Sequence, residues 1–181
     1  MEKDIDRVLL SSEQINERVA ELAREISAWY GENEVVIIPV LEGGAMFSKA
    51  LSQLVNMPHA ICPIKLSSYQ GARSTKTVKL LEELSISLAG RDVLIVEDIV
   101  DTGYTLNFLQ SYLRSRGVAS LRTCVLLDKV SAREVHVDIN YTGFIIPDEF
   151  VVGFGLDYRQ RYRELPFVGI LKREIYDSRS T

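Results

Sequence analysis

Between Val93 and Leu106 the chain reads VLIVEDIVDTGYTL, and this stretch constrains the fold more than any other. Four apolar β-formers run into two adjacent carboxylates, Glu97 and Asp98. A third carboxylate, Asp101, opens a turn of Thr102, Gly103, Tyr104 and Thr105, and a helical pattern follows. A strand this apolar suits the interior of a parallel α/β sheet, covered by helices on both faces. The amides of a small-residue turn at a helix N-terminus suit a phosphate. The neighbouring acids suit sugar hydroxyls or a hard cation. The expectation is a pocket for a phosphorylated sugar.

The rest of the chain supplies matching parts. Ser11 and Gln14 fit a capping box, after which Ile15, Val19, Leu22, Ile26 and Trp29 fall on one helical face, with Gly31 placed to end the helix. Glu34 to Val40 (EVVIIPV) reads as a second central strand. The turn Leu41-Glu42-Gly43-Gly44 leads into a helix expected to run to about Asn56. Ala60 to Leu66 reads as one strand, Ser67 to Thr77 as a polar, mobile loop, and Val78 to Leu81 as a short strand. Tyr104 to Ser115 is expected to be helical and Leu121 to Leu127 a buried strand. Tyr141 to Ile146 and Phe150 to Phe154 read as short strands about Pro147-Asp148. In a parallel sheet of this kind, ligands bind at the carboxyl ends of the strands.

The 181 residues carry a net charge of −4, which disfavours a nucleic-acid partner. No apolar run is long enough for a membrane span, and the acidic N-terminus lacks the apolar core of an export signal. Cys62 and Cys124 each sit in an apolar run and read as buried, reduced thiols, which points to the cytoplasm. His59 and His136 have no neighbouring ligand cluster, so a zinc site is not expected.

The stretch from Val93 resembles the phosphoribosyl-pyrophosphate (PRPP) signature of the type I phosphoribosyltransferases. More narrowly, the chain resembles the hypoxanthine-guanine phosphoribosyltransferases. Supporting motifs are Leu41-Glu42-Gly43-Gly44, Ser68-Tyr69, Leu126-Leu127-Asp128-Lys129, Pro147 to Gly153 (PDEFVVG), and Asp157-Tyr158 through Arg163. The resemblance implies one α/β domain over residues 1–181. Its core of parallel sheet and flanking helices would take about residues 12–130, and a small hood would come largely from about residues 140–175. The implied reaction transfers 5-phosphoribosyl from PRPP to hypoxanthine or guanine, with Mg²⁺, in a homodimer or homotetramer.

The resemblance also implies roles. Glu97 and Asp98 bond the ribose hydroxyls, and the turn of Asp101, Thr102, Gly103, Tyr104 and Thr105 holds the 5′-phosphate. Asp101 exchanges a proton at purine N7. Lys129 donates to the 6-oxo group, Phe150 stacks on the purine, and Val151 offers its carbonyl to a guanine amino group. Asp157, counted also among the purine-binding residues, contacts Mg²⁺ at the pyrophosphate side, with Glu97 and Asp98 as further metal candidates. Leu41, Glu42 and Gly43 bind pyrophosphate through main-chain amides about a non-proline cis peptide, and Arg163 is a side-chain ligand. Ser68 and Tyr69 close over the site. At Glu42 the chain departs from relatives that carry Lys or Arg. An acid there should weaken attraction for a polyanion unless it points away or pairs with a basic neighbour. Tyr104 is also a variable site.

Each residue taken singly has a plainer reading: two solvated acids at a strand end, an Asx turn at Asp101, a solvated tip at Lys129, a core aromatic at Phe150. A phosphoacceptor receiver domain would explain the acid pair but leaves Asp101-Thr102-Gly103 without a role. Two other readings stay open: a PRPP-binding regulatory protein, and the same fold acting on xanthine.

Overall fold

The computed structural model describes residues 1–70, 76–82 and 84–177. A large sheet is built from β2 (Val35–Leu41), β3 (His59–Ile61), β4 (Ile64–Gln70), β5 (Lys76–Leu80), β6 (Asp92–Val100), β7 (Ser120–Asp128) and β8 (Tyr141–Ile145). Its order is β5-β4-β2-β6-β7-β8, with β3 also on β2. Every pairing is parallel except β4 with β5.

The central strands are apolar on both faces because both faces are covered. Val35, Ile37, Leu94, Val96, Cys124 and Leu126 point into one core with the helices α1 (Ser12–Tyr30) and α2 (Gly44–Ser52). Val36, Ile38, Val93, Ile95 and Val125 point into the other, with Leu106, Leu109 and Leu113 of α3 (Tyr104–Arg114). The expected α/β class with a parallel sheet is therefore present.

Helix α1 begins at the expected capping box, both reciprocal bonds of Ser11 and Gln14 being made, and ends at Gly31 with φ +57°. Ile15, Val19, Leu22 and Ile26 are buried as the spacing predicts, but Trp29 is 61% exposed and Tyr30 takes the core position instead. The Arg122 guanidinium lies 3.5 Å from the Trp29 ring centroid. Helix α2 stops at Ser52, short of Asn56.

The single strand expected over Ala60 to Leu66 is two. Both β3 and β4 pair with β2, at Val35–Ile37 and at Val40–Leu41, with the break at Cys62-Pro63, where proline removes an amide donor. Much of the expected loop over Ser67 to Thr77 is strand: β4 reaches Gln70 and β5 starts at Lys76, paired through Ser68–Val78 and Tyr69–Thr77. Residues 71–75, on which the expected mobility falls, lie outside the described residues.

The strand that was expected to stop before Glu97 continues to Val100 because β7 runs beside it, with Ile99 opposite Leu127 and Val100 opposite Asp128. Both carboxylates are thus inside β6.

A second, antiparallel sheet joins β1 (Ile5–Leu10), β10 (Val168–Leu171) and β9 (Val151–Val152), followed by the short helix α4 (Arg173–Tyr176). Strand β1 carries no clear strand pattern in the sequence, and the strand predicted over Phe150 to Phe154 is two residues long. Tyr141–Ile145, in the segment expected to form the hood, extends the large sheet instead. Both cysteines are buried free thiols, and burial pushes the Cys124 thiol up. No described helix is long and apolar enough to cross a membrane.

Candidate active site

The acid pair organises the site. Each carboxylate folds back on the next amide: Asp98 N donates to Glu97 Oε1 at 3.2 Å and Ile99 N to Asp98 Oδ1 at 3.0 Å. Both side chains are buried. Burial raises the Glu97 carboxyl well above the carboxylate range, and the Asp98 charge adds to that. Burial also raises Asp98, against the bonds it accepts from Glu97 and the Ile99 amide. Such a pair is disposed to meet cations or hydroxyl protons.

Beyond β6 the chain turns sharply. Gly103, at φ +92°, supplies the left-handed conformation just before α3, where other residue types are strained. The turn carbonyls are engaged from outside: Thr102 O accepts from the amides of Glu134 and Val135 at 2.9 and 3.2 Å, and Asp101 O from Arg133 Nε at 3.0 Å. Inside lies a recess of about 110 Å³, lined by Glu97, Asp101, Thr102, Gly103 and Thr105. Its size, small residues and helix N-terminus suit one phosphate group.

Strand β7 ends level with β6, and the Lys129 amide donates to Val100 O at 2.9 Å. The Lys129 side chain is buried, with Nζ 3.5 Å from the exposed Asp148 carboxylate. Asp101 and Lys129 thus follow the ends of paired strands.

Opposite the acid pair, the Leu41–Glu42 peptide is cis, as expected. Glu42 pairs with basic neighbours: Oε1 lies 3.4 Å from Lys65 Nζ and Oε2 3.6 Å from Arg163 Nη2. Arg163 is held more closely by Asp157 at 2.8 Å and by Gly155 O at 2.5 Å. Leu41, Gly43, Glu97, Asp98, Asp157 and Arg163 line one cavity of about 340 Å³, which Thr105 joins to the smaller recess. Buried carboxylates on one side and Asp157 on the other are hard oxygen donors of the kind Mg²⁺ takes together with substrate phosphates.

Most of the residues predicted for the site are thus brought together, but not all. Phe150 lines neither cavity; its ring stacks on Tyr176 (4.8 Å, 18°) and meets Tyr158 edge-on at 5.4 Å. Val151 is buried in β9 opposite Ile170. Ser68 and Tyr69 lie on β4 by their backbone. Sequence reasoning missed Lys65, Arg133 and Asp148. Lys65 could have been found as a lysine interrupting an apolar strand. Arg133 gives no local signal, since it acts across the turn.

Comparison with known proteins fits this geometry. The phosphoribosyl transferase domain family matches residues 9–159. The hypoxanthine phosphoribosyltransferase of Salmonella typhimurium is 46% identical, over 90% of this chain and 93% of that one. The bifunctional protein TilS/HprT of Listeria innocua is 42% identical over 97% of this chain, which spans 27% of that longer protein. Among solved structures, a hypoxanthine phosphoribosyltransferase from Staphylococcus aureus superposes with a TM-score of 0.92 at 42% identity. That match covers 97% of this chain and 96% of that one.

Proposed function

Because the chain belongs to the hypoxanthine-guanine phosphoribosyltransferases, a branch of the phosphoribosyltransferase family, we propose that it transfers 5-phosphoribosyl from PRPP to N9 of hypoxanthine or guanine, releasing pyrophosphate. The observation that carries this reading is the continuity of the small recess with the larger cavity at Glu97, Ile99 and Thr105, which line both, with Asp98 on the larger side. A phosphate, a ribose and a diphosphate can be laid along that line, with the buried acid pair at the sugar and Arg163 at the diphosphate end.

In this reading the Asp101 to Thr105 turn takes the 5′-phosphate, including the Thr102 and Thr105 hydroxyls. Glu97 and Asp98 accept from the ribose hydroxyls. The Leu41 to Gly43 main chain and Arg163 take the diphosphate. Asp157 would hold Mg²⁺, with Glu97 and Asp98 as further candidate ligands, and the ion would supply charge neutralisation of the leaving group. As the bond from ribose C1 to the pyrophosphate oxygen breaks and the bond to N9 forms, positive charge grows on the ribose ring beside the acid pair, which stabilises it. Asp101 moves the proton at purine N7 while Lys129 donates to the 6-oxo group. Phe150 offers a ring face and Val151 a carbonyl to the base once the base is in place. Ser68 and Tyr69 close over the site and exclude water.

The acidic balance supports a small-molecule enzyme without nucleic-acid or membrane partners, and the two free thiols support a cytoplasmic setting. A homodimer or homotetramer follows from the family resemblance.

Turnover with PRPP and Mg²⁺ against hypoxanthine, guanine, xanthine, adenine and uracil tests the reading. Turnover of hypoxanthine or guanine that is lost on Asp101→Asn supports it. Turnover of xanthine alone moves the base assignment. PRPP binding without turnover of any base moves the protein to a regulatory role.

A further inference from the structure

Arg163 is the single basic residue among the described residues lining the larger cavity, where it faces Glu97, Asp98 and Asp157. A diphosphate carries several negative charges, and one guanidinium already paired to a carboxylate is a weak match for them. Lys65 lies just outside that lining. It sits on β4 opposite Leu41, so the backbone register sets it beside the cis peptide, and its carbonyl is fixed by the Leu81 amide at 2.9 Å.

The two cations already share an anion. The oxygens of Glu42 divide between them, Oε1 to Lys65 at 3.4 Å and Oε2 to Arg163 at 3.6 Å, as the oxygens of a diphosphate would. Both contacts are longer than a charge-assisted hydrogen bond of about 2.7–2.9 Å. Glu42 and Lys65 are about half exposed, so little opposes their separation in water. Arg163, by contrast, is anchored by Asp157 and Gly155 and keeps its place when Glu42 leaves.

We propose that Lys65 is a second cationic ligand for the diphosphate, and that Glu42 is the exchangeable anion that takes its seat between Lys65 and Arg163 when the diphosphate is gone. The proposal rests on the reading of this cavity as the diphosphate site. An incoming diphosphate displaces the loosely held carboxylate; after reaction the carboxylate returns and competes for the same two cations. Glu42 then shortens product retention instead of merely weakening substrate binding.

The test is calorimetric titration of inorganic pyrophosphate with Mg²⁺, alongside KM for PRPP. Lys65→Gln is expected to weaken pyrophosphate by about five- to tenfold, the range of one partly exposed charge contact, and to raise KM for PRPP with KM for hypoxanthine unchanged. Lys65→Arg should recover most of the loss, which a merely structural lysine would not require. Glu42→Gln should tighten pyrophosphate by about three- to tenfold. Unchanged binding in Lys65→Gln, or weaker binding in Glu42→Gln, overturns the proposal and leaves the cavity's reading standing. Failure of the wild-type protein to bind pyrophosphate in competition with PRPP overturns both.

Discussion

The Asp98 carboxylate fills the space in which a side chain at Gly43 would begin; a Cβ on that glycine would overlap it. Gly43 also accommodates Gly155, whose own Cβ would collide with the Gly43 carbonyl. Three segments distant in sequence therefore meet at one point: the loop after β2, the end of β6 and the loop carrying Asp157 and Arg163.

Gly43→Ala should accordingly displace Asp98 or the cis-peptide loop while sparing the distant core. A shift of about 1 Å in such a site costs on the order of 100-fold. The expected result is a kcat/KM for PRPP lowered by about that factor, with Tm down by a few degrees. Steady-state kinetics and thermal unfolding check it; wild-type PRPP kinetics would show that the contact is slack.

Asp101→Asn keeps the size of a side chain at the exposed start of the turn after β6 but removes its base. Proton transfer by a positioned group contributes roughly 10²–10⁴-fold. A fall of that order in kcat, with KM for PRPP within about threefold, is expected from initial rates. A large rise in KM with kcat intact would make Asp101 a phosphate-turn residue only.

The parts legible in the sequence are those written locally. The capping box at Ser11, the doubly apolar strands and the acid-turn-glycine run all depend on residues a few positions apart. What was misread depends on distant chain. Trp29 fits the helical period as well as Tyr30 does, but Arg122 on β7 stacks on it at the surface. Strand β1 alternates too weakly to be seen and exists because β10 pairs with it. The polar ends of β4 and β5 look like loop because each uses the other as its partner. Glu42 does pair with basic neighbours, one of the two ways out that its sequence leaves open, but the partners themselves are not legible because they come from β4 and from Arg163, 121 positions onward in numbering.

Lys129→Ala probes base choice. The buried ammonium pairs with Asp148 and can donate to a 6-oxo group but finds no acceptor in a 6-amino group. A hydrogen bond to a charged group is worth about 1.5–3 kcal/mol, so KM for hypoxanthine should rise by roughly 10- to 100-fold. KM for PRPP should stay within a small factor. Equal losses for both substrates would place Lys129 in the frame of the site and not at the base.

The raised carboxyls of Glu97 and Asp98 set a pH dependence of stability. The folded protein holds these protons to higher pH than the unfolded chain, so it binds more protons through the carboxylate range and somewhat above. Stability on this account is full below the unfolded values and falls as pH rises past them. Glu97→Gln removes the buried charge, so Tm measured without ligand should exceed that of the wild type near neutral pH and converge with it in acid. A variant less stable than wild type at neutral pH would show that the charged pair is compensated.

Arg133 ties the Asp101 to Thr105 turn to the end of β7. Its Nε donates to Asp101 O, its Nη2 meets the buried Asp128 carboxylate, and a Cβ on Gly103 would come 2.9 Å from its Cδ. Arg133→Met keeps aliphatic length under Gly103 but removes both donors and leaves Asp128 without its cation. A buried charge left unpaired costs about 3 kcal/mol or more, which should lower Tm clearly. The slackened turn should also raise KM for PRPP by about tenfold, the scale of one lost hydrogen bond to a charged group. These two effects separate in the double variant Asp128→Asn/Arg133→Met. Neutralising Asp128 should recover much of the lost Tm, while the Asp101 carbonyl still lacks its donor and KM for PRPP stays raised. If KM returns with Tm, Arg133 supports only the fold; if it stays high in a restored fold, Arg133 positions the phosphate turn.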